Sequence, residues 1–270
     1  MKNLIELTQL ALKSNKQLPF SIYFCKRKQS LRHVPIFNPV AVFVLRGTKQ
    51  LSGEMQAVCH QGQFLFLGEN PQVTLSNIPG DQDYLALFIE FEYQDFENLK
   101  PSTQNSDRFL IGDMNSTIVK NISQFIEWSH VSPQSMWDIR RRELLQLLCF
   151  YGYHKIISMV SKPKINHQII DVIKADTAYR WDIKNVSHKL AMSESTLRRK
   201  LKAEGTGFRD LHTQIKLARG MHLLQTTGDS ISLISEKCGY QSQSRFTQRF
   251  KERFGITPGK LRQGQLDENG

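Results

Sequence analysis

Apolar and polar positions change texture twice along this chain. Over the first residues Leu4, Leu7 and Leu10 recur at helical spacing, which predicts a short helix or a loose arm. From about residue 21 to 92 the pattern breaks into short β-type runs at 21–24, 40–45, 56–59, 63–67, 72–75 and 84–91. Turn residues separate them: Arg46 and Gly47, Ser52 and Gly53, Gln61 and Gly62, the stretch 68–71, and the stretch 78–81. Short strands at such close spacing predict a small antiparallel barrel or sandwich. Beyond Glu92 the period becomes helical. Residues 115–129 carry Ile118, Ile122, Phe125 and Ile126 on one side, and 135–158 carry Trp137, Leu144, Leu145, Leu148, Phe150 and Ile156 in a mostly apolar surface. Pro163 marks the segment 161–164 as a linker, since the residue before a proline is pushed out of the helical region. Everything after it reads as short helices. The expected class is therefore α+β: residues 1–160 form one domain, with a β-barrel at about 21–92 and helices at about 113–160, and 164–270 form an all-α domain.

An internal repeat lies inside the second domain. A shift of 49 residues lays SESTLRRKLK (193–202) on SQSRFTQRFK (242–251), so that Leu197 and Leu201 fall on Phe246 and Phe250. Upstream the match of Ile183 and Val186 is loose in that register, and slipping it by one residue restores the apolar pair Ile231 and Ile234. Each copy then reads as a short helix, a tight turn and a second helix, the helix-turn-helix pattern. Ser193 and Ser242 are natural N-caps, because a serine oxygen accepts from the free N–H groups of the next turn. Ile183, Val186 and Leu190 should bury the first supporting helix, and Gly239 should sit in the second turn. Burying the apolar side of each second helix leaves Ser195, Arg198, Arg199 and Lys202 outward in one copy. In the other it leaves Gln243, Ser244, Arg245, Gln248 and Arg249. These are side chains that hydrogen-bond base edges and phosphates. Between the copies, residues 208–224 form one helical pattern suited to hold both units on a common core, with the two reading helices about 34 Å apart, one turn of B-DNA.

Charge sharpens that expectation once it is located. The chain has 36 Lys and Arg against 25 Asp and Glu, a formal net charge of +11. From Lys164 onward the count is 19 against 11, which leaves 17 against 14 for the rest, so most of the surplus lies with the repeat. A basic domain beside a near-neutral one suits a polyanion, although solubility alone explains a modest surplus. Four scattered cysteines without a CxxC pair argue against a zinc site or a disulfide framework and suit a reducing compartment. The first residues lack a signal-peptide core, and no apolar run approaches a bilayer's thickness, so a cytoplasmic protein without a membrane partner is expected.

The residues SESTLRR (193–199), KLAR (216–219) within the spacer, and 231–258 ending in GYQSQSRFTQRFKERFGITP together resemble the AraC/XylS family of bacterial transcription regulators. The likeness covers roughly residues 166–263. It implies sequence-specific binding of double-stranded promoter DNA, work with RNA polymerase, and an activator's role. The family's base-reading positions fall on Ser195, Arg198 and Arg199, then on Gln243, Ser244, Arg245 and Gln248; Ser193, Thr196, Lys202, Ser242 and Arg249 complete the expected DNA-binding set. The chain departs from the family at Ser187 and Ser235, where alanine is usual, and at Leu233, where a polar or acidic residue is usual; these positions bear on packing. The amino half resembles the family's effector domains more faintly, in 40–53 and 60–67. Those domains are cupin-like barrels followed by helices that pair two subunits, which implies a small-molecule or protein effector and a homodimer.

Competing readings remain for several features. The arginines of the repeat suit an ordinary solvated helix face as well, but two copies in register favour a functional face. Arg140, Arg141 and Arg142 read as a helix surface or subunit contact, and Cys238 as packing in an apolar turn. The aromatic strands with Phe43, Phe64, Phe66, Phe88 and Phe91 suit a core as well as a ligand cavity. A metal-dependent cupin needs converging histidines and a carboxylate, and up to Glu92 only His33 and His60 are present, in different expected strands. No phosphate loop, nucleophile elbow or HExxH occurs, so neither catalysis, a metal nor a cofactor is expected. A regulator controlled by a protein partner alone, and an architectural DNA binder without promoter preference, stay open as alternatives.

Overall fold

The computed structural model describes residues 1–12, 18–68, 70–99, 108–160 and 164–265. Among the described residues, helix α1 (Lys2–Leu12) precedes nine antiparallel strands in two sheets. The first sheet holds β1 (Ser21–Cys25), β8 (Tyr84–Glu90), β3 (Val40–Arg46), β6 (Gln63–Leu67) and β9 (Phe109–Asp113), in that spatial order. The second holds β2 (Gln29–Ile36), β7 (Asn70–Ile78), β4 (Thr48–Ser52) and β5 (Ala57–His60). Central β3 explains the arrangement. Alternate side chains point to opposite faces of a strand, so Val40, Val42 and Val44 face the second sheet, where Leu31, Leu51, Val73 and Leu75 meet them. Ala41, Phe43 and Leu45 face the other way, into a layer of helices. A strand buried on both faces reads as a continuous apolar run, as VAVFVL does.

That helical layer is α1, α2 (Ser116–Ser129) and α3 (Trp137–Leu148). Asn115 caps α2 by accepting from the Ile118 amide at 2.9 Å. The expected helix over 135–158 is interrupted: a 3-10 turn at Gln134–Met136 precedes α3, a π turn at Cys149–Tyr153 follows it, and α4 (Lys155–Ser158) is a separate turn. Gly152 has φ +92°, a conformation that ends a right-handed helix. Phe150 consequently does not join an apolar surface but is 80% exposed. In α1 the buried set is Leu4, Thr8 and Ala11, not the leucine triplet, and Leu10 faces solvent. Arg140 and Arg142 form surface ion pairs with Glu143 and Asp138, whereas Arg141 pairs with Glu92 and with the buried Asp95.

Seven more helices follow among the described residues: α5 (Ile165–Ala175), α6 (Ile183–Lys189), α7 (Glu194–Ala203), α8 (Phe208–Thr226), α9 (Ile231–Lys237), α10 (Gln243–Phe254) and α11 (Pro258–Gln263). The expected linker falls on 161–163, outside the described residues, and on Lys164, which begins α5 as its N-cap. No helix among the described residues is long and apolar enough to cross a membrane. The helices pack against the strands. The amides of Lys26 and Arg27 donate to Gly264 O at 2.8 and 3.2 Å, buried Gln29 donates to Leu261 O, and Lys174 pairs with Glu90 at 3.8 Å.

Candidate nucleic-acid interface

The two repeat copies fold as helix-turn-helix units by the same local chemistry. Asp182 and Ser230 cap the supporting helices α6 and α9; Ser193 and Ser242 cap the second helices α7 and α10, accepting from the amides of Thr196 and Arg245 at 3.2 and 3.3 Å. In each turn one residue is left-handed, Ala191 at φ 51° and Gly239 at φ 68°. The amides of the following residues, Met192 and Tyr240, reach back to Ser187 O and Ser235 O, both at 2.9 Å, so the last carbonyls of each supporting helix are satisfied identically. The second turn then needs one more residue, Gln241, before its cap. That insertion is the physical origin of the one-residue slip in the sequence register.

The apolar sides of the units are buried as expected: Val186, Leu197, Leu201, Ile234, Phe246 and Phe250 are at most 1% exposed, while Leu190 and Ile231 are half-buried. The spacer α8 departs from expectation in an instructive way. It does not hold both units on one core. Its first half gives Leu211 and Ile215 to a cluster with Val186, Leu197 and Leu201. Its second half gives Leu217, Met221 and Leu224 to a cluster with Ile234, Phe246 and Phe250, and that cluster runs on into the space between the two β-sheets. Further ties hold the second unit to α8. Gly220 lets the Phe246 ring approach where a Cβ would stand 2.7 Å from it, and Lys216 Nζ donates to Gly239 O at 3.1 Å.

Packing these sides inward leaves the other faces free. Ser193, Ser195, Arg198, Arg199 and Lys202 are exposed on α7 and Thr196 half-exposed; Ser242, Gln243, Ser244, Arg245, Gln248 and Arg249 are all exposed around α10. Neither face is covered by the strands. Weak surface contacts hold some of these side chains: Arg198 pairs with Glu194 at 3.6 Å, and Glu252 receives both Gln248 at 2.9 Å and Arg249 at 3.2 Å. Exposed pairs of this kind contribute at most about 1 kcal/mol, so an incoming polyanion displaces them readily. The roles of Glu194 and Glu252 escaped sequence reasoning; their i,i+4 and i,i+3 spacing to the arginines was the available signal. Cys238 is buried beside the second turn, where burial pushes its thiol up to about 12, as a packing role requires.

A second feature is a cleft of about 790 Å³ between the strands and the helices α5 and α8. Tyr23, Lys49, Asn77 and Phe88 line it from one side, Arg219 and His222 from the other. The Tyr23 hydroxyl lies 3.4 Å from His222 Nδ1, and burial, with Arg219 adding, pushes His222 down to about 4, so this ring is neutral. Lys49 is 1% exposed, and burial lowers it from the usual lysine value to about 7. An unfolded lysine titrates near 10.4, so between about pH 7 and 10 the unfolded chain holds a proton that the folded one lacks, and stability rises with pH. Lys49→Met is therefore expected to stabilise the protein by about 2–3 kcal/mol at pH 6: roughly 4–5 kcal/mol of relieved charge burial less the cost of orphaning the Asn77 oxygen. The gain should vanish towards pH 10; equal denaturation midpoints at both pH values would contradict it. No group of three or more metal-ligating side chains occurs among the described residues.

A pair of helix-turn-helix units on one stalk, each turning capped, arginine- and glutamine-bearing helices to solvent, defines a DNA-binding domain. The comparisons agree: a helix-turn-helix domain family matches residues 186–264. GadX, an HTH-type transcriptional regulator of Escherichia coli O6:H1, is 31% identical over 109 residues, 40% of each chain. The transcriptional activator PerA of Escherichia coli O127:H6 is 31% identical over 154 residues, 56% of this chain and 54% of that one. Residues 186–264 thus carry a helix-turn-helix domain, and the carboxy-terminal part of this chain is similar to these transcriptional regulators. The match spans about half or less of the length of these curated relatives. Over nearly the whole chain the fold is that of ToxT from Vibrio cholerae: an apo form carrying a single substitution superposes with a TM-score of 0.66 at 14% identity, covering 94% of this chain and all of that one. Another ToxT structure, the wild type with an unsaturated fatty acid bound, gives 0.63 at 15% identity over 94% of this chain and 98% of that one.

Proposed function

We propose that this protein is a transcription regulator, not an enzyme, whose residues 164–270 read two successive major-groove segments of promoter DNA. The observation that carries the reading is the paired exposure of two like-built helix faces whose apolar sides are locked to one helix, α8. Arg198, Arg199, Arg245 and Arg249 supply guanidinium forks for guanine edges or phosphates, Gln243 and Gln248 suit adenine, and Ser193, Ser195, Thr196, Lys202, Ser242 and Ser244 reach the backbone. Arg198→Ala or Gln248→Ala is expected to cost about 1–3 kcal/mol of affinity for the cognate site and less for random DNA. Equal losses on both would reassign the residue to phosphate contact, and no loss on either would reject the interface. Affinity for any duplex should fall linearly with the logarithm of salt, the mark of counterion release. Activation through RNA polymerase is the mode that the likeness to PerA supports.

Residues 1–160 form the controlling domain in this reading. The cleft lies where strands and DNA-binding helices meet, and the fatty-acid-bound ToxT of like fold supports its use for an elongated, mostly apolar effector with one polar end. Such a molecule would touch α8, the helix on which both reading units are mounted. A bound ligand raises the melting point by mass action, so thermal unfolding with a series of amphipathic molecules tests this. Subunit pairing is favoured by α3 and the π turn that follows it, where Ile139 and Phe150 are 45% and 80% exposed.

A further inference from the structure

Lys49 is the odd residue of the inter-sheet layer. The strand register sets Cys59 beside it on β5 and Asn77 beside it on β7. Its Nζ donates to Asn77 Oδ1 at 2.9 Å and stands 4.9 Å from the centre of the Phe88 ring and 5.9 Å from that of Tyr84. No ion pair to Lys49 is formed among the described residues: Asp83 pairs with Arg46 at 2.8 Å, and Glu90, which also lines the cleft, pairs with Lys174 at 3.8 Å. The neighbouring thiols of Cys25 and Cys59 are pushed by burial up to about 12 and stay uncharged, so they offer no counter-ion. An ammonium group in this setting loses its hydration with little in return. The neutral amine fits better, and it is a nucleophile at the wall of an open cleft.

We propose that Lys49 is a covalent anchor for an aldehyde effector, which enters the cleft and condenses with Nζ to an imine. The proposal rests on the cleft being the effector site and names the chemistry of the effector's polar end. The Nζ lone pair adds to the carbonyl carbon, and the nitrogen's proton passes to the carbonyl oxygen to give a carbinolamine. Its hydroxyl then leaves with a proton as water while the C=N bond forms, with no change in oxidation state. Tyr84 carries a suitable proton. Its hydroxyl is buried in the same layer without a hydrogen-bond partner, and burial holds it as the phenol. An aldehyde suits this end of the cleft better than a carboxylate. Asn77 already presents a carbonyl oxygen to the amine, and a carboxylate would add a second desolvated charge, whereas imine formation leaves the site uncharged. An amine in water is protonated at pH 7 and adds to a carbonyl slowly.

Treating the full chain with decanal and cyanoborohydride at pH 7, then mapping peptides by mass, tests the proposal. The expected result is a single reduced adduct at Lys49, formed at least tenfold faster than at any exposed lysine, and absent from Lys49→Met and Lys49→Arg proteins whose thermal unfolding shows them folded. Labelling confined to exposed lysines, or unchanged in Lys49→Met, would overturn it. So would a melting shift with decanoate accompanied by no adduct from decanal, which would assign the cleft to non-covalent binding of an anion. Operator binding by the untreated protein, measured alongside, is a separate readout: its absence would reject the DNA-binding reading and leave the adduct result untouched.

Discussion

Replacing Phe250 by alanine is expected to destabilise the protein by about 3–5 kcal/mol and to abolish tight DNA binding at physiological temperature. The ring is fully buried, packed at 5.5 Å from Phe246 and 4.6 Å from Phe254, so truncation leaves a cavity that its aromatic neighbours cannot collapse to fill. Its cluster continues into the strands through Leu31, Val34 and Leu75. The loss should therefore be felt by the whole protein as one transition and not only by the second reading unit. Chemical denaturation checks the magnitude. A midpoint shift equivalent to less than about 1 kcal/mol would mean that the three-ring stack is not the structural centre described here.

Gly239→Val should be nearly as severe, at about 3–4 kcal/mol. The residue's φ of +68° costs a β-branched side chain more than the roughly 1–2 kcal/mol of an ordinary L-residue. Its Cβ would also stand 2.9 Å from Ala178 O and 3.0 Å from Thr177 O, backbone atoms that cannot swing aside. The equivalent position in the first unit reverses the sign. Ala191 holds a left-handed φ of 51° with its Cβ already in place, so Ala191→Gly should relieve strain and stabilise the first unit by a few tenths to about 1 kcal/mol, after the extra chain entropy of glycine is deducted. Thermal unfolding of the two variants is the check. A stabilised Gly239→Val, or an Ala191→Gly more than about 1 kcal/mol below the parent, would refute the shared turn geometry.

These predictions concern features of unequal legibility. The repeat, the capping serines Ser193 and Ser242 and the outward arginines were readable because each depends on residues within a few positions of one another. A cap bonds three residues ahead, and a helix face returns every three or four. Strands β1, β3, β5, β6 and β8 were legible within a residue or two for a similar reason, their apolar runs being bounded by turns; the start of β7 was placed two residues late and its end three residues early. Strands β2, β4 and β9 were not seen. QSLRHVPI carries a proline, an arginine and a histidine, its register shifts between Leu31 and Val34, and TKQLS reads as a polar turn until β7 pairs with it.

By itself, then, the order of residues determined the two helix-turn-helix units, their caps and their charge, because local spacing writes all three. Tertiary structure alone decided that Lys49 faces inward beneath Phe88, since β4's inner face is defined only by the sheet opposite. It also decided that α8 divides between two cores and that the second of them is continuous with the barrel. Contacts between residues some two hundred positions apart, such as Gln29 with Leu261, leave no periodic trace in the chain. They exist only once apolar faces formed independently have found each other and excluded water between them.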